Sequence, residues 1–588
     1  MARAAADASS TPALSIAQSA GRPLPEGGRR LARWLSLRLL ALSHLAAFGS
    51  LYVQARGLFG EHGITPAADF LERADRVLSA RGDWLWAHVP TLAWLTGASD
   101  AAIEGLCAAG MACAGALLVG FWPRGLLIAL WALYLSLFSI AGPFLSFQWD
   151  TLLLETTLLA VFYAPGGLLP RLSTEAEPSP WSVWAMRLLL FKLMLLSGAV
   201  KLASGDPTWQ NLTALDYHFW TQPIPHPVAW HAQQAPAAMR HVGVAFSHFA
   251  ELFAPWIIIF NPRGLRLVAW LAIVSVLLAV GVGQFSAAHV VLGALAPRLL
   301  CGRIWKGCAD HGLARLPAAI LFCGLLATIA GTGNYGFFHL LTLVTVATLL
   351  DDARLLRLLP GGLRLRFVKP GPPAGDFTRA VAIAVLLIWG GVSALLMTTR
   401  LAGRSLREAS AAAATEAGGP TDHLLGGLAT AAEAWRDVAG PFASINSYGL
   451  FATMTTKRFE LLVEGTADGK TWRRYRFRFK PDAPDEPLRF AGAHMPRLDW
   501  QMWFAALRHR CEAGWFTSFM RALLEGRPEV LALLEENPFP DAPPRAVRVL
   551  RVDTHFTDAE QREATGALWT FEPAGDYCPT ITLDMFKK

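Results

Sequence analysis

The sequence predicts a polytopic α-helical membrane protein of about eleven spans, with a C-terminal extracytoplasmic α+β, β-sandwich-like domain. Three observations carry this. The 588 residues are 53% hydrophobic and 16% charged, with a mean hydropathy of +0.35, whereas soluble domains carry roughly 25% charge. Apolar runs long enough to cross ~30 Å of hydrocarbon at ~1.5 Å per residue recur between Leu31 and residue 400. Beyond residue 440 the pattern turns to short alternating runs with strand periodicity.

Residues 1–30 are rich in Ala, Ser and Pro and read as a disordered tail, 31–400 as the transmembrane domain, 401–440 as an Ala/Gly-rich linker and 441–588 as the soluble domain. The first run, Leu31–Val53, is too long for a signal-peptide core and is read as an uncleaved span. Residues 57–99 form a loop whose Trp84, Trp86 and Trp94 suit an interfacial helix. Further spans are expected near 101–121, 124–141, 148–165, 182–203, 243–260, 265–283, 286–300, 315–332, 335–350 and 378–397.

Basic residues orient them. Arg29, Arg30 and Arg33 place the N-terminus inside, and alternation puts Arg124, Arg171, Arg263, Arg266, the Arg303–Lys306 loop and the Arg354–Lys369 loop on the same side. The opposite loops, including Phe147–Asp150 and Gly205–Gln222, are poor in Lys and Arg. An odd span count puts residues 398–588 outside, with the Asp206–His218 segment.

In the terminal domain, Phe459–Glu464 and Thr471–Phe479 are expected to form a hairpin around Asp468-Gly469. Trp500–Leu507 and Ala513–Glu535 read as amphipathic helices, and Val547–Asp553 and Ala567–Phe571 as later strands. Cys511 and Cys578 can pair if this domain is extracytoplasmic. The net charge of +7 is spread between apolar runs, which is topology information rather than a nucleic-acid footprint. There is no CxxC, HExxH, GxSxG or Walker A pattern and no Rossmann fingerprint in a strand-to-helix setting, so no metal or cofactor is expected.

The chemistry concentrates in Phe191–Pro227, which holds Lys192, Lys201, Ser204, Asp206, Trp209, Asn211, Asp216, Tyr217, His218 and Trp220. Ionisable groups in or beside a span are costly and mark function by default. Lys201 either acts as a base or is structural, snorkelling or pairing with Asp206 or Asp150. Lys192 lies nearer mid-span and needs a buried partner, with Glu155 one candidate. Asp150 opens its helix, where a carboxylate favours the dipole, while Glu155 is either a bridge to a Lys or a functional carboxylate. His248 and Glu251 stand at i,i+3, a spacing found in di-iron bundles, but no second copy exists.

The block Ser146-Phe147-Gln148-Trp149-Asp150-Thr151-Leu152-Leu153-Leu154-Glu155-Thr156 resembles the lipase maturation factor family. The resemblance continues through Ser204-Gly205-Asp206-Pro207-Thr208-Trp209 and Asn211–His218. It returns at Asn446-Ser447-Tyr448-Gly449 and Arg497-Leu498-Asp499-Trp500. It therefore marks Gln148 and Trp149 in the membrane part, and Asn446, Tyr448, Arg497, Asp499 and Trp500 in the terminal domain, as motif residues. Animal members of that family are endoplasmic-reticulum membrane proteins that help secreted lipases fold and assemble. The resemblance implies a membrane-anchored maturation factor with a secreted client such as a lipase, in contact with membrane lipid and not nucleic acid. The Ala/Arg/Leu-rich composition suggests a bacterial member, which implies a multi-pass protein of the inner membrane with a cytoplasmic N-terminus and a periplasmic terminal domain. A shorter stretch, Ser197-Gly198-Ala199-Val200-Lys201-Leu202 followed by Trp209, resembles the membrane part of vitamin K-dependent carboxylases. That second resemblance implies an enzyme with Lys201 as general base on a lipid-soluble or peptide substrate.

Overall fold

A computed structural model describes residues 28–259, 315–358, 371–401, 420–508, 511 and 514–586. The helices that build the membrane part are α1 (Arg30–Tyr52), α2 (Asp100–Val119), α3 (Pro123–Ile140), α4 (Gln148–Tyr163), α5 (Pro180–Ala203), α6 (Leu215–Thr221), α7 (Ala237–His248), α8 (Leu316–Thr332), α9 (Phe338–Val346) and α10 (Asp376–Leu401). Helix α11 (Pro420–Ala439) follows, in the stretch expected to be a linker.

Among the described residues, six helices are long and apolar enough to cross a membrane: α1, α2, α3, α5, α10 and the Ala237–Ile259 stretch that contains α7. Three more of the expected spans correspond to shorter helices, α4, α8 and Phe338–Leu349. The expected spans at 265–283 and 286–300 lie outside the described residues, as do residues 1–27 and the Arg303–Lys306 loop. The chain is thus a mostly helical membrane protein with six candidate spans among the described residues and a small C-terminal sheet. Helix α4 is an interior helix: its Asp150 and Glu155 are fully buried among neighbouring elements. Helix α1 packs on α2 and α9, and α5 on α4, α9 and α10. Close approach is built in at Gly110, where a Cβ would lie 2.4 Å from the Phe48 ring.

The terminal domain contains β1 (Arg458–Thr466), β2 (Arg473–Arg474), α12 (Arg497–Ala506), α13 (Gly514–Glu525), β3 (Ala546–Phe556) and β4 (Trp569–Thr582). One antiparallel sheet runs in the order β2-β1-β3-β4, and nine residue pairs from Arg458↔Thr554 to Thr466↔Ala546 set the β1–β3 register. The expected sandwich is replaced, among the described residues, by a single sheet. Helices α12 and α13 pack on it, and Arg458 at the start of β1 reaches the membrane part.

The expected second hairpin strand, Thr471–Phe479, is laddered to β1 only at Arg473–Arg474, the Tyr475 N–H reaching the Val463 carbonyl at 3.0 Å and Arg476 forming an isolated antiparallel bridge with Glu536. Side chains intercept the backbone beyond it. Asp482 accepts the Phe477 N–H at 2.6 Å, and Asp499 accepts those of Phe479 and Lys480 at 2.9 and 3.1 Å. The expected Ala513–Glu535 helix breaks after Glu525 at Gly526, whose φ is +65°, and resumes only as Pro528–Leu531. Cys511 and Cys578 form a disulfide with their Cα atoms 5.3 Å apart.

Loops expected on one side do gather there. The N–H groups of Arg30, Leu31 and Ala32, at the start of α1, donate to Asp352, and Arg33 pairs with Glu175 at 2.6 Å. The opposite loops meet the terminal domain instead: Gln54 contacts Met495, Asp206 contacts Met454, and Asn334 contacts Arg489.

Candidate functional site

Helix α4 presents two carboxylates to different neighbours because five residues on a helix do not share one face. Asp150 faces α12. Its carboxylate receives both terminal nitrogens of Arg497, at 2.9 Å and 2.8 Å, and the Tyr134 hydroxyl at 2.6 Å. Arg497 also donates to the Phe144 carbonyl at 2.6 Å. Burial alone would lower the Arg497 guanidinium, but Asp150 outweighs it and holds the group above its ordinary range. The bidentate pair is roofed by aromatics, with the Trp149 and Trp500 rings 4.8 Å apart and Phe147 stacked on Trp149 at 4.7 Å. Asp150 at the helix start was expected to serve the dipole; its side chain serves this bridge, because a carboxylate fully out of water needs a charged partner.

Glu155 is a hub one turn and a half deeper. It accepts from Lys192 Nζ, from the Tyr448 hydroxyl, from Trp389 Nε1 at 2.7 Å, and from the Asn446 backbone and side-chain nitrogens at 3.2 and 3.3 Å. Lys192 also reaches Ser393 Oγ at 3.1 Å and lies over the Trp389 and Tyr448 rings at 4.8 and 5.3 Å. The segment carrying Asn446 and Tyr448 is seated by Gly449, whose N–H donates to Gln148 Oε1 at 3.3 Å. Gly449 has φ +152°, and a Cβ there would stand 2.8 Å from Val200.

The Ser204–Gln222 segment is a second seat for the terminal domain. Asp206 caps its short helix by accepting from the Thr208 N–H and hydroxyl, both at 2.8 Å, and its other oxygen accepts the Met454 N–H at 2.6 Å. Trp209 Nε1 donates to the Phe451 carbonyl at 2.9 Å. Arg458, paired with Glu460 at 2.8 Å, donates to the carbonyl of Trp220 in the last turn of α6 and to those of Gln222 and Pro223 just beyond it. Those carbonyls are left open by the helix end. Asp216 turns away to Arg240 at 2.6 Å and His241 at 3.2 Å. Ser204 bonds back to the Lys201 carbonyl at 2.8 Å, and Asn211 follows the short Pro207–Gln210 helix. Tyr217 packs beside Trp220 at 6.4 Å.

Lys201 pairs with neither Asp206 nor Asp150. Its Nζ bonds Glu251 at 2.6 Å and lies 4.5 Å over the Trp209 ring. Glu251 reaches it from a single π-helical turn, Phe249–Phe253, that continues α7. Gly198 permits the approach, since a Cβ there would stand 2.9 Å from the Glu251 Cβ. Asp206 is unavailable because capping and Met454 occupy both its oxygens. His248 bonds the Trp209 carbonyl at 3.2 Å, and no metal-binding group of His, Cys, Asp and Glu occurs among the described residues.

Lys201 lines a cavity of about 430 Å³ between α5, α6, α7, α8 and α9, closed on one side by Leu450 and Phe451. His218 bonds the Tyr335 hydroxyl at 3.2 Å in its wall. Burial, with the Lys201 charge acting the same way, pushes the His218 imidazole down to about 4.

Two of the residues singled out from sequence, Asp150 and Arg497, meet across 347 positions, and Glu155, Lys192, Asn446 and Tyr448 meet at the second centre. Asp499 lies inside the terminal domain instead, holding the Phe479–Lys480 turn. Tyr134, Trp389 and Arg458 were missed. Arg458 had no signal, and Tyr134 sits in an otherwise ordinary apolar run.

The region from 31 to 305 matches the family model described as lipase maturation factor transmembrane domain, and 444–579 matches the lipase maturation factor C-terminal domain. Lipase maturation factor 2 of Gallus gallus is 33% identical over 94% of this chain and 82% of its own length. Lipase maturation factor 2 of Homo sapiens is 32% identical over 95% and 83%. Lipase maturation factor 1 of Homo sapiens is 28% identical over 96% and 90%. No solved structure matches.

Proposed function

This chain belongs to the lipase maturation factor family, and from that premise we propose that it is a membrane-anchored folding factor for secreted proteins, lipases among them. The observation that carries the proposal is the union of both family regions in one buried interface, Asp150–Arg497 and Glu155–Lys192–Tyr448. A terminal domain clamped this way is held at a fixed height over the helices, where a client leaving the membrane would meet it. Phe490, exposed at 67%, and Phe504 and Leu507 offer apolar contact to an unassembled client.

The working side is extracytoplasmic in this reading. The Cys511–Cys578 disulfide supports that assignment, since disulfides persist in oxidising compartments, and so does the basic-residue pattern of the opposite loops. For a bacterial host the compartment is the inner membrane with the domain in the periplasm. Lys201 as the base of a carboxylase-like enzyme is the weaker reading, because its amine is engaged by Glu251 at 2.6 Å. Photocrosslinkers placed at Phe490 and Phe504 test the client reading. They should label a co-expressed secreted lipase while it is immature, and labelling of the mature lipase alone, or of none, would refute it.

A further inference from the structure

The cavity beside Lys201 is left unused by a folding role. Its walls are the candidate spans α5 and Ala237–Ile259 and the shorter apolar helices α8 and Phe338–Leu349. Met239, one wall residue, is 65% exposed. Its volume of about 430 Å³ falls in the roughly 300–1,000 Å³ range of small-molecule sites.

The polar groups gathered at the Lys201 end are Lys201, Glu251, Ser247, His218 and Tyr335; Arg240, also in the lining, is engaged by Asp216 at 2.6 Å, and the remaining polar lining is serine and threonine hydroxyls. Lys201 has three donors; Glu251 takes one at 2.6 Å, and Ser247 Oγ lies at 3.5 Å. The pair is neutral as a unit. An anionic head would be repelled by Glu251 and a cationic one by Lys201, whereas a hydroxyl or carbonyl can accept from Nζ. The wall is also strained where it meets the terminal domain. Phe451 has φ +52°, a costly conformation for a non-glycine residue, and its ring stands edge-on to His218 at 5.1 Å. Glu251 sits on a π turn, a distortion frequent at functional sites.

We propose that this cavity binds a single-chain amphiphile with an uncharged head, of the monoacylglycerol or long-chain alcohol class, its head at Lys201–Glu251 and its chain among the helices. The site stands apart from client handling and does not depend on it.

The test uses the full chain in detergent with radiolabelled 1-monooleoylglycerol as probe. Saturable binding of one molecule per chain is expected. Met239→Trp, which fills the cavity from its exposed wall, should weaken it at least tenfold, and so should the paired replacement Lys201→Met/Glu251→Leu, which removes both charges together. Ser247→Ala, a small change, gives a further reading of the head site should the paired variant fail to fold, with at least a threefold loss expected. Non-saturable uptake, binding equal in the wild type and Met239→Trp, or oleate displacing the probe at lower concentration than unlabelled 1-monooleoylglycerol would overturn the proposal.

Discussion

Removing one partner of the Asp150–Arg497 pair should undock the terminal domain. Both side chains are fully buried, so Arg497→Met leaves a lone carboxylate beside Tyr134, and Asp150→Leu leaves a lone guanidinium. Breaking a buried pair this way costs about 3–5 kcal/mol, which raises the undocked population by roughly two to three and a half orders of magnitude. The double variant Asp150→Leu/Arg497→Met strands no charge. It orphans the Phe144 carbonyl and the Tyr134 hydroxyl, which costs about 1–3 kcal/mol for each. The two changes are therefore coupled, by roughly 4 kcal/mol at the middle of those ranges. Hydrogen exchange of the α12 amides, residues 497–506, reads the opening directly. Protection in the single variants within threefold of the wild type, or a double variant as open as the two singles combined, would refute the reasoning.

Three further outcomes follow from the same contacts. Gly449→Val places a side chain against Val200 at a φ that favours glycine, and should expose the 444–454 segment to protease while leaving the sheet intact. Burial pushes the Asp499 carboxyl up to about 6, against the N–H groups of Phe479 and Lys480 that pull it down. A folded value above the ordinary 3.8 means the folded domain takes up a proton first. Its stability should therefore fall as pH rises from 4 through 6, by on the order of 1–3 kcal/mol, and Asp499→Asn should flatten that slope in unfolding titrations. Cys511→Ser opens a link spanning 67 residues and should cost about 2–4 kcal/mol, while in intact cells Cys511 and Cys578 of the wild type should resist maleimide until reduced.

Much of the interface was legible because burying charge is expensive. Glu155 and Lys192, in adjacent apolar runs, had to find partners, and they found each other. Lys201 was equally conspicuous, but its partner was not. Glu251 lies 50 residues on, and its sequence position ties it only to His248, three residues earlier, at a spacing that has no second copy to make it a metal motif. The π turn shifts that register and delivers Glu251 to α5. Arg497 could be marked as a motif residue but not as the counter-ion of Asp150, since nothing local links positions 347 apart. The sandwich expectation failed for a related reason: helices and the membrane part take the place of a second sheet, and strand periodicity alone does not say what covers a sheet's other face.

The central claim is that the docked terminal domain and the membrane helices act together to mature a secreted lipase. The most direct measurement is the specific activity of a secreted lipase expressed in a host lacking this protein, with the wild type or Arg497→Met returned at equal levels. The account predicts full lipase activity with the wild type and, with Arg497→Met, activity close to that without the protein, while lipase synthesis is unchanged. Equal specific activity with and without the wild-type protein would contradict it.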